Sequence, residues 1–337
     1  LKLIKREIKE NKLLQTGINI KRKIKKKKKM KMKMKKVHLI LISILTVMSC
    51  DTEPIDPAIM VDTGNGNGNP PNGSLTLRSY SYNVSSTDPI FGNMVVNTDF
   101  NFNAQNRVSS STVTSTFFGQ SITEQVTYTR NSAGQVTGYS STSGGSTTNS
   151  ATVSYTNGNI TQITYDYVGD DEDDYTYNFQ YSGNTITRTE VGSDISTVFT
   201  LNGAGQLIKK QSFDGSTVIK TEVLDYDGQG NCVSSTVTGE DATTSTYIYD
   251  NQINPLKNAF SDQYMLSFLN DDYSDQAGPE IAQFASTNNW TGLTTPEGTI
   301  NFTIQYDPTN RITNRNGSYD LGNGIRVQQS ETLNFVN

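Results

Sequence analysis

Tyr175-Thr176-Tyr177-Asn178-Phe179-Gln180-Tyr181 places an aromatic ring at every odd position and a small polar side chain at every even one. Side chains two apart share a face of a strand, so this segment reads as a β-strand with one aromatic face and one wet face. The same period recurs at Ile163, Tyr165 and Tyr167, at Val96, Thr98, Phe100 and Phe102, and at Ile300, Phe302, Ile304 and Tyr306. Thr, Val, Ile and Tyr suit a pleated surface. A sheet with one solvated face is antiparallel, because parallel sheets bury both faces.

The punctuation between these runs is hairpin chemistry. Asp214-Gly215 separates Leu207–Phe213 from Val218–Asp225, and Asn157-Gly158, Asn316-Gly317 and Asn323-Gly324 offer the same dipeptide. Such pairs supply the positive φ angles that tight hairpins need. The expectation is an all-β antiparallel hairpin meander, open and curved, of roughly twelve to sixteen strands over residues 75–337. One stretch departs from the pattern. Leu256, Phe260, Met265, Leu266, Phe268 and Leu269, then Pro279-Glu280, are spaced helically, and Pro with an acidic neighbour suits a first turn. A short helical insertion near 256–285 is expected, packed on the apolar face together with the lone Trp290.

A unit recurs along the array: an aromatic, a Gly/Asn turn, then an aliphatic. Examples are Tyr128…Gly134-Gln135-Val136, Tyr155…Gly158-Asn159-Ile160, Phe199…Gly205-Gln206-Leu207, Tyr226-Asp227…Gly230…Val233 and Tyr306-Asp307…Asn310-Arg311-Ile312. A period of about 25 residues is one hairpin, and stacked hairpins make a continuous sheet. From Tyr128 onward the units resemble degenerate YD repeats, and the whole resembles the YD-repeat-like lipoproteins of Bacteroidetes. That resemblance implies a β-hairpin array in the cell envelope and no assigned activity. Most units here lack the Asp.

The N-terminal region carries an address. Met30-Lys31-Met32-Lys33-Met34-Lys35-Lys36 is a basic n-region, Val37–Met48 an apolar core, and Ser49-Cys50 a small-residue junction. The core is shorter than the ~20 apolar residues that span a bilayer. With Val47 and Ser49 before Cys50, residues 30–49 resemble a bacterial lipoprotein signal, which implies cleavage and lipidation (palmitate) of Cys50. Residues 1–29, Lys-rich and ahead of a complete signal, are read as mistranslated upstream sequence. Residues 50–74, acidic and then Gly/Asn/Pro-rich, are read as a flexible tether.

Charge divides the chain in two. Residues 1–50 hold 17 Lys/Arg and 2 Asp/Glu, and the remainder holds 11 and 31. The remainder is thus strongly acidic, which excludes nucleic acid as a partner. The only His is His38, inside the signal, so the hairpin domain lacks the means for Ser-His-Asp or Cys-His catalysis and for His-based metal sites. Cys232 is expected to be a small buried apolar side chain. No catalytic residue is assigned.

The function expected from these features is a surface-exposed, lipid-anchored binding or structural module of the outer membrane. Its partners would be the membrane through the lipid and a glycan or envelope protein; the ligand residues are left unassigned. Two other readings stay open: a periplasmic carrier enclosing an apolar ligand in the curved sheet, and a glycan hydrolase using carboxylates alone. Asp170-Asp171-Glu172-Asp173-Asp174 is read as a solvated hairpin loop, with Ca²⁺ binding as the alternative. A calcium site there would raise the melting temperature in about millimolar Ca²⁺ relative to EDTA; identical melting curves would remove it.

Overall fold

A computed structural model describes residues 74–88, 92–168, 174–296, 298–320 and 326–336. The signal, Cys50, the tether, Asp170 to Asp173 and Asn323-Gly324 lie outside these residues. The first strands are β1 (Leu77–Asp88), β2 (Gly92–Phe102), β3 (Val108–Phe117), β4 (Gln120–Arg130), β5 (Val136–Ser143) and β6 (Ser146–Thr156). Next come β7 (Asn159–Tyr167), β8 (Tyr175–Ser182), β9 (Thr185–Glu190), β10 (Ile195–Leu201), β11 (Leu207–Asp214) and β12 (Thr217–Tyr226). β13 (Cys232–Gly239), β14 (Thr243–Ile253), β15 (Asn288–Thr295), β16 (Gly298–Asn301), β17 (Thr303–Tyr306), β18 (Ile312–Asp320) and β19 (Arg326–Phe335) complete the series.

All pairings are antiparallel, and each strand pairs with its neighbours in sequence except β16 and β17, which do not pair with each other. β19 returns to pair with β1, from Leu77↔Phe335 to Thr87↔Arg326. The expected open sheet is therefore a nearly closed barrel, and it has 19 strands rather than sixteen or fewer. β16 and β17 are two halves of one extended segment, so they occupy one position in the wall. The ring thus has eighteen positions. An all-antiparallel ring closes only on an even number, because the first and last strands must run in opposite directions.

Alternation sets the two faces of the wall as expected. In β19, Val327, Glu331, Leu333 and Phe335 are buried while Gln328, Thr332 and Asn334 are exposed. In β6, Ala151 and Val153 are buried and Thr152 and Ser154 exposed. The turns follow their chemistry. Asn157 and Gly158 both have positive φ, at 53° and 82°, as the tight hairpin requires.

The repeat unit has a common construction. Asn131, Asn202, Asp227 and Asp307 each accept, on Oδ1, the backbone N–H groups two and four residues ahead. The fourth residue of each turn, Gly134, Gly205, Gly230 or Asn310, takes positive φ. The residue two further on, Val136, Leu207, Cys232 or Ile312, is buried. Cys232 therefore holds the aliphatic position of its unit, which the sequence suggested for Val233. In three of the four units the tyrosine of the next hairpin closes the step: Tyr155, Tyr226 and Tyr249 donate their hydroxyls to the carbonyls of Val136, Leu207 and Cys232 at 2.8, 2.8 and 2.6 Å.

Asn316-Gly317 is not a turn, contrary to the sequence reading. It lies within β18, and a Cβ on Gly317 would stand 2.5 Å from the Phe302 ring. Glycine is there to let that ring lie on the strand. Gly317→Ala is expected to lower stability by about 1–3 kcal/mol through overpacking. Adding Phe302→Leu should recover part of that loss, so thermal melts showing strictly additive effects would refute the contact.

Candidate functional site: the plugged lumen

Between β14 and β15 the chain leaves the wall and fills the barrel. Its elements are α1 (Pro255–Ala259), a 3₁₀ turn at Ser261–Gln263, α2 (Tyr264–Asn270), a helical turn at Gly278–Glu280 and a π-turn at Ile281–Ala285. The helical insertion is thus where the spacing placed it. Asn254 caps α1, accepting the Leu256 N–H at 3.1 Å, and Pro255 opens it.

The insertion is a plug, because it touches strands around the ring. Phe260 packs on Tyr80, Phe100 and Phe102 of β1 and β2 at 6.0, 5.3 and 6.0 Å between ring centroids. Phe268 meets Phe199 of β10 at 5.5 Å. Asp262 accepts from Arg130 at the end of β4 at 2.7 Å. Leu266, Leu269, Ile281 and Ala282 join Ile163, Phe179, Leu207 and Leu224 of the wall in one apolar cluster. Trp290 on β15 is buried against Tyr247 and Phe302, as expected of a packing residue.

Residues 271–277 join the helical turns as an irregular segment, buried at Asp271 and Ala277, exposed at Asp272 and half-buried between, and its backbone polar groups and those of the flanking helix ends need partners. The wall supplies them with charged side chains. Arg188 of β9 donates to the Leu269 carbonyl at 2.8 Å and to that of Asp271. Lys210 of β11 donates to the carbonyls of Asp272 and Asp275 at 2.9 and 3.0 Å, and Lys220 of β12 to that of Ser274. Glu222 accepts the N–H groups of Ala277 and Gly278 at 2.8 and 3.0 Å, and the Ser235 hydroxyl at 2.6 Å. Gly278 has no space for a side chain, since a Cβ would stand 2.4 Å from Tyr247 Oη.

Sequence reasoning missed these residues. Their signal is phase: Lys220 and Glu222 share the face of Leu224, Arg188 that of Ile186, and Glu331 that of Leu333. A charge in step with the aliphatics of a strand points inward.

A second buried network spans the closure of the ring. Arg315 of β18 donates to Glu331 of β19 at 2.8 and 2.5 Å, with both side chains shielded from solvent. Tyr80 of β1 donates to Glu331 at 2.9 Å, and Gln283 of the plug donates to Tyr80 at 2.9 Å. Arg315 also donates to the Trp290 carbonyl at 3.0 Å. Four strands and the plug therefore share one ion pair.

The carboxyls near the plug are strained electrostatically. Burial pushes Glu280 from its ordinary 4.5 up to about 8, against the opposing pull of Ser267 and Lys210. Burial likewise raises Asp271 and Asp275, with Lys210 working against it in both. Burial lowers Lys210, and Asp271 counters it. Burial also raises the Cys232 thiol, so it is inert packing rather than a nucleophile.

The residues singled out from sequence lie elsewhere. Cys50 and most of the acidic run fall outside the described residues. Asp174, the run's last member, accepts the Tyr167 N–H at 2.7 Å and so helps close the hairpin of β7 and β8. Among the described residues, no group of three or more His, Cys, Asp and Glu side chains is placed to hold a metal.

Three solved structures align with this chain in part. A porin-like protein from Bacteroides uniformis ATCC 8492 is 12% identical, with a TM-score of 0.45 over 78% of this chain and 98% of that one. A porin-like protein from Bacteroides vulgatus ATCC 8482 is 10% identical, with a TM-score of 0.27 over 75% and 97%. A structure of TcdB2-TccC3 is 13% identical with a TM-score of 0.26; this chain covers 14% of its length. No family model and no curated protein matches. At these scores no property of those proteins passes to this chain.

The raised carboxyl gives a pH signature. An acid whose folded pKa exceeds its unfolded value contributes fully below about pH 4.5 and loses that contribution as pH climbs to about 8. Glu280→Gln is expected to melt near wild type at about pH 5 and above it at about pH 8. Melting-temperature profiles that run parallel across this range would contradict the assignment.

Proposed function

We propose that the chain is a lipid-anchored cell-envelope protein whose barrel stands in water as a binding or structural module. The observation that carries this reading is the polarity of the wall. A membrane-spanning barrel presents apolar side chains outward and polar ones inward. Here the order is reversed. Outward positions are Ser121, Thr123, Gln125 and Thr127 on β4, Thr152 and Ser154 on β6, and Gln328, Thr332 and Asn334 on β19. Aromatic and aliphatic side chains face the lumen. Exposed apolar residues such as Ile122, Val223 and Ile248 are scattered, as on any water-facing surface. Such a wall needs another means of reaching a membrane, and the signal at residues 30–49 with Cys50 offers one. The repeat turns and their tyrosine clasps support the kinship with YD-repeat-like lipoproteins. The plug occupies the volume that an apolar cargo would need, which favours a module binding on its outer surface over a carrier.

The test is Cys50→Ala in cells expressing a C-terminally tagged chain. The wild type is expected to incorporate an alkyne-palmitate label, stay in carbonate-washed membranes and lose its tag when intact cells are treated with protease. The variant should take up no label and leave the membrane fraction. Retention of unlabelled variant through the carbonate wash would mean that the barrel itself inserts, and would overturn the reading. Tag protection until lysis would place the domain on the periplasmic side.

A further inference from the structure

The segment Gly298–Tyr306 changes partner in mid-course. β16 pairs with β15, from Gly292↔Asn301 to Thr295↔Gly298. β17 pairs with β18, from Thr303↔Asn316 to Tyr306↔Ile312. Beyond Asn316, β18 continues on β19 alone. Two strands that part in this way leave a recess in the wall, and a cavity of about 470 Å³ opens there. Asn301 and Thr303 stand on one side, Asn316 and Ser318 opposite, and Ser330 of β19 and Asn83 of β1 extend the floor.

Two properties set this recess apart. Every described residue lining it is Asn, Gln, Ser, Thr or Gly, in a domain, residues 75–337, that holds 27 acidic residues against 11 basic ones. Moreover, the six side chains just named make no hydrogen bond to other described residues. Elsewhere on the wall such groups pair laterally: Thr116 with Ser121 at 2.8 Å, Gln162 with Asn178 at 3.0 Å, and Gln211 with Thr221 at 3.0 Å. The recess therefore gathers amides and hydroxyls whose donors and acceptors are free for a ligand.

We propose that this recess binds an uncharged oligosaccharide. Amides and hydroxyls both donate and accept, which matches the vicinal hydroxyls of a sugar. Among the described lining residues an anionic ligand would meet no cation, a cationic one no carboxylate, and an apolar one no apolar floor. Its course separates a glycan from a peptide. A peptide adding as a strand would run along the open edge of β18. The recess instead crosses the segment of β16 and β17, then β18, β19 and β1, a width of about 14 Å at the usual strand spacing, or about three sugar rings. The assignment deepens the binding reading above, and the two fail separately, because loss of anchoring in Cys50→Ala leaves the recess untouched.

The full-length, detergent-solubilised chain would be titrated calorimetrically with uncharged hexasaccharides of glucose, mannose, galactose and xylose. A hexagalacturonate and an extended Ser/Thr-rich peptide serve as comparators. At least one uncharged sugar is expected to bind, with the galacturonate and the peptide silent. Asn301→Ala with Asn316→Ala should weaken binding at least about tenfold. Ser318→Glu, which puts a charge at the rim, should do the same, whereas Thr123→Ala on β4 should change nothing. Unaltered melting temperatures would show that the variants are folded. Silence from all four sugars, binding that survives both recess variants, or peptide binding in place of sugar would each overturn the proposal.

Discussion

A ring of this size cannot fill itself. About eight strands enclose a space that their own side chains can pack, and sixteen to eighteen leave an open channel. With eighteen wall positions and apolar side chains pointing inward, an empty lumen would leave Tyr80, Phe100, Phe199 and Leu224 facing water. The plug answers that constraint. Its Phe260, Leu266, Phe268 and Leu269 bring apolar surface to the middle, so that Phe100 on one side of the ring and Phe199 on another each pack on a ring of the plug. Wall and plug therefore depend on each other: neither buries its apolar face without the other.

Filling a lumen with an irregular segment creates a second problem. A helix satisfies most of its own backbone, but residues 271–277 do not, and each unmet polar group in such a place costs about 1–3 kcal/mol. Arg188, Lys210, Lys220 and Glu222 solve it from the wall, and Asp271 and Asp275 stand close enough to Lys210 to pull against the effect of its burial. Removing one member leaves an uncompensated charge, while the intact set fixes where the segment lies. The buried polar cluster is thus explained by plug retention. It does not require a reaction, and the inert Cys232 beside it agrees with that.

How much of this could be read in the chain differs by scale. Strand alternation, hairpin turns and the helical insertion are local, period-two or period-3.6 signals, and Tyr175–Tyr181, Asn157-Gly158 and Leu256–Leu269 carry them openly. Ring closure is not local. Nothing in β1 or β19 alone announces that Leu77 pairs with Phe335, so an open sheet was the natural expectation. Asn316-Gly317 misled because its glycine answers to Phe302, a neighbour across the sheet, and not to a turn. The inward charges were legible in principle, since Glu331 sits in phase with Val327 and Leu333. The recess was not, because it arises from where a strand changes partner.

The same contrast orders the energetics. Repeat turns and tyrosine clasps join residues 19 or fewer positions apart, so each hairpin gains its neighbours at small loop-closure cost. The β1–β19 seam joins positions more than two hundred residues apart, and contacts of that range form late. At that seam lies the most buried ion pair among the described residues, Arg315 with Glu331, tied to Tyr80 and through Gln283 to the plug. In the folded chain Gln283 and Phe284 of the plug both meet Tyr80 of β1, so the seam strand is held by the plug as well as by β19. Closure is thus coupled to filling. The wall gives way in the segment that bridges plug-bearing β15 and seam strand β18, where both demands meet and a continuous strand serves two partners in turn.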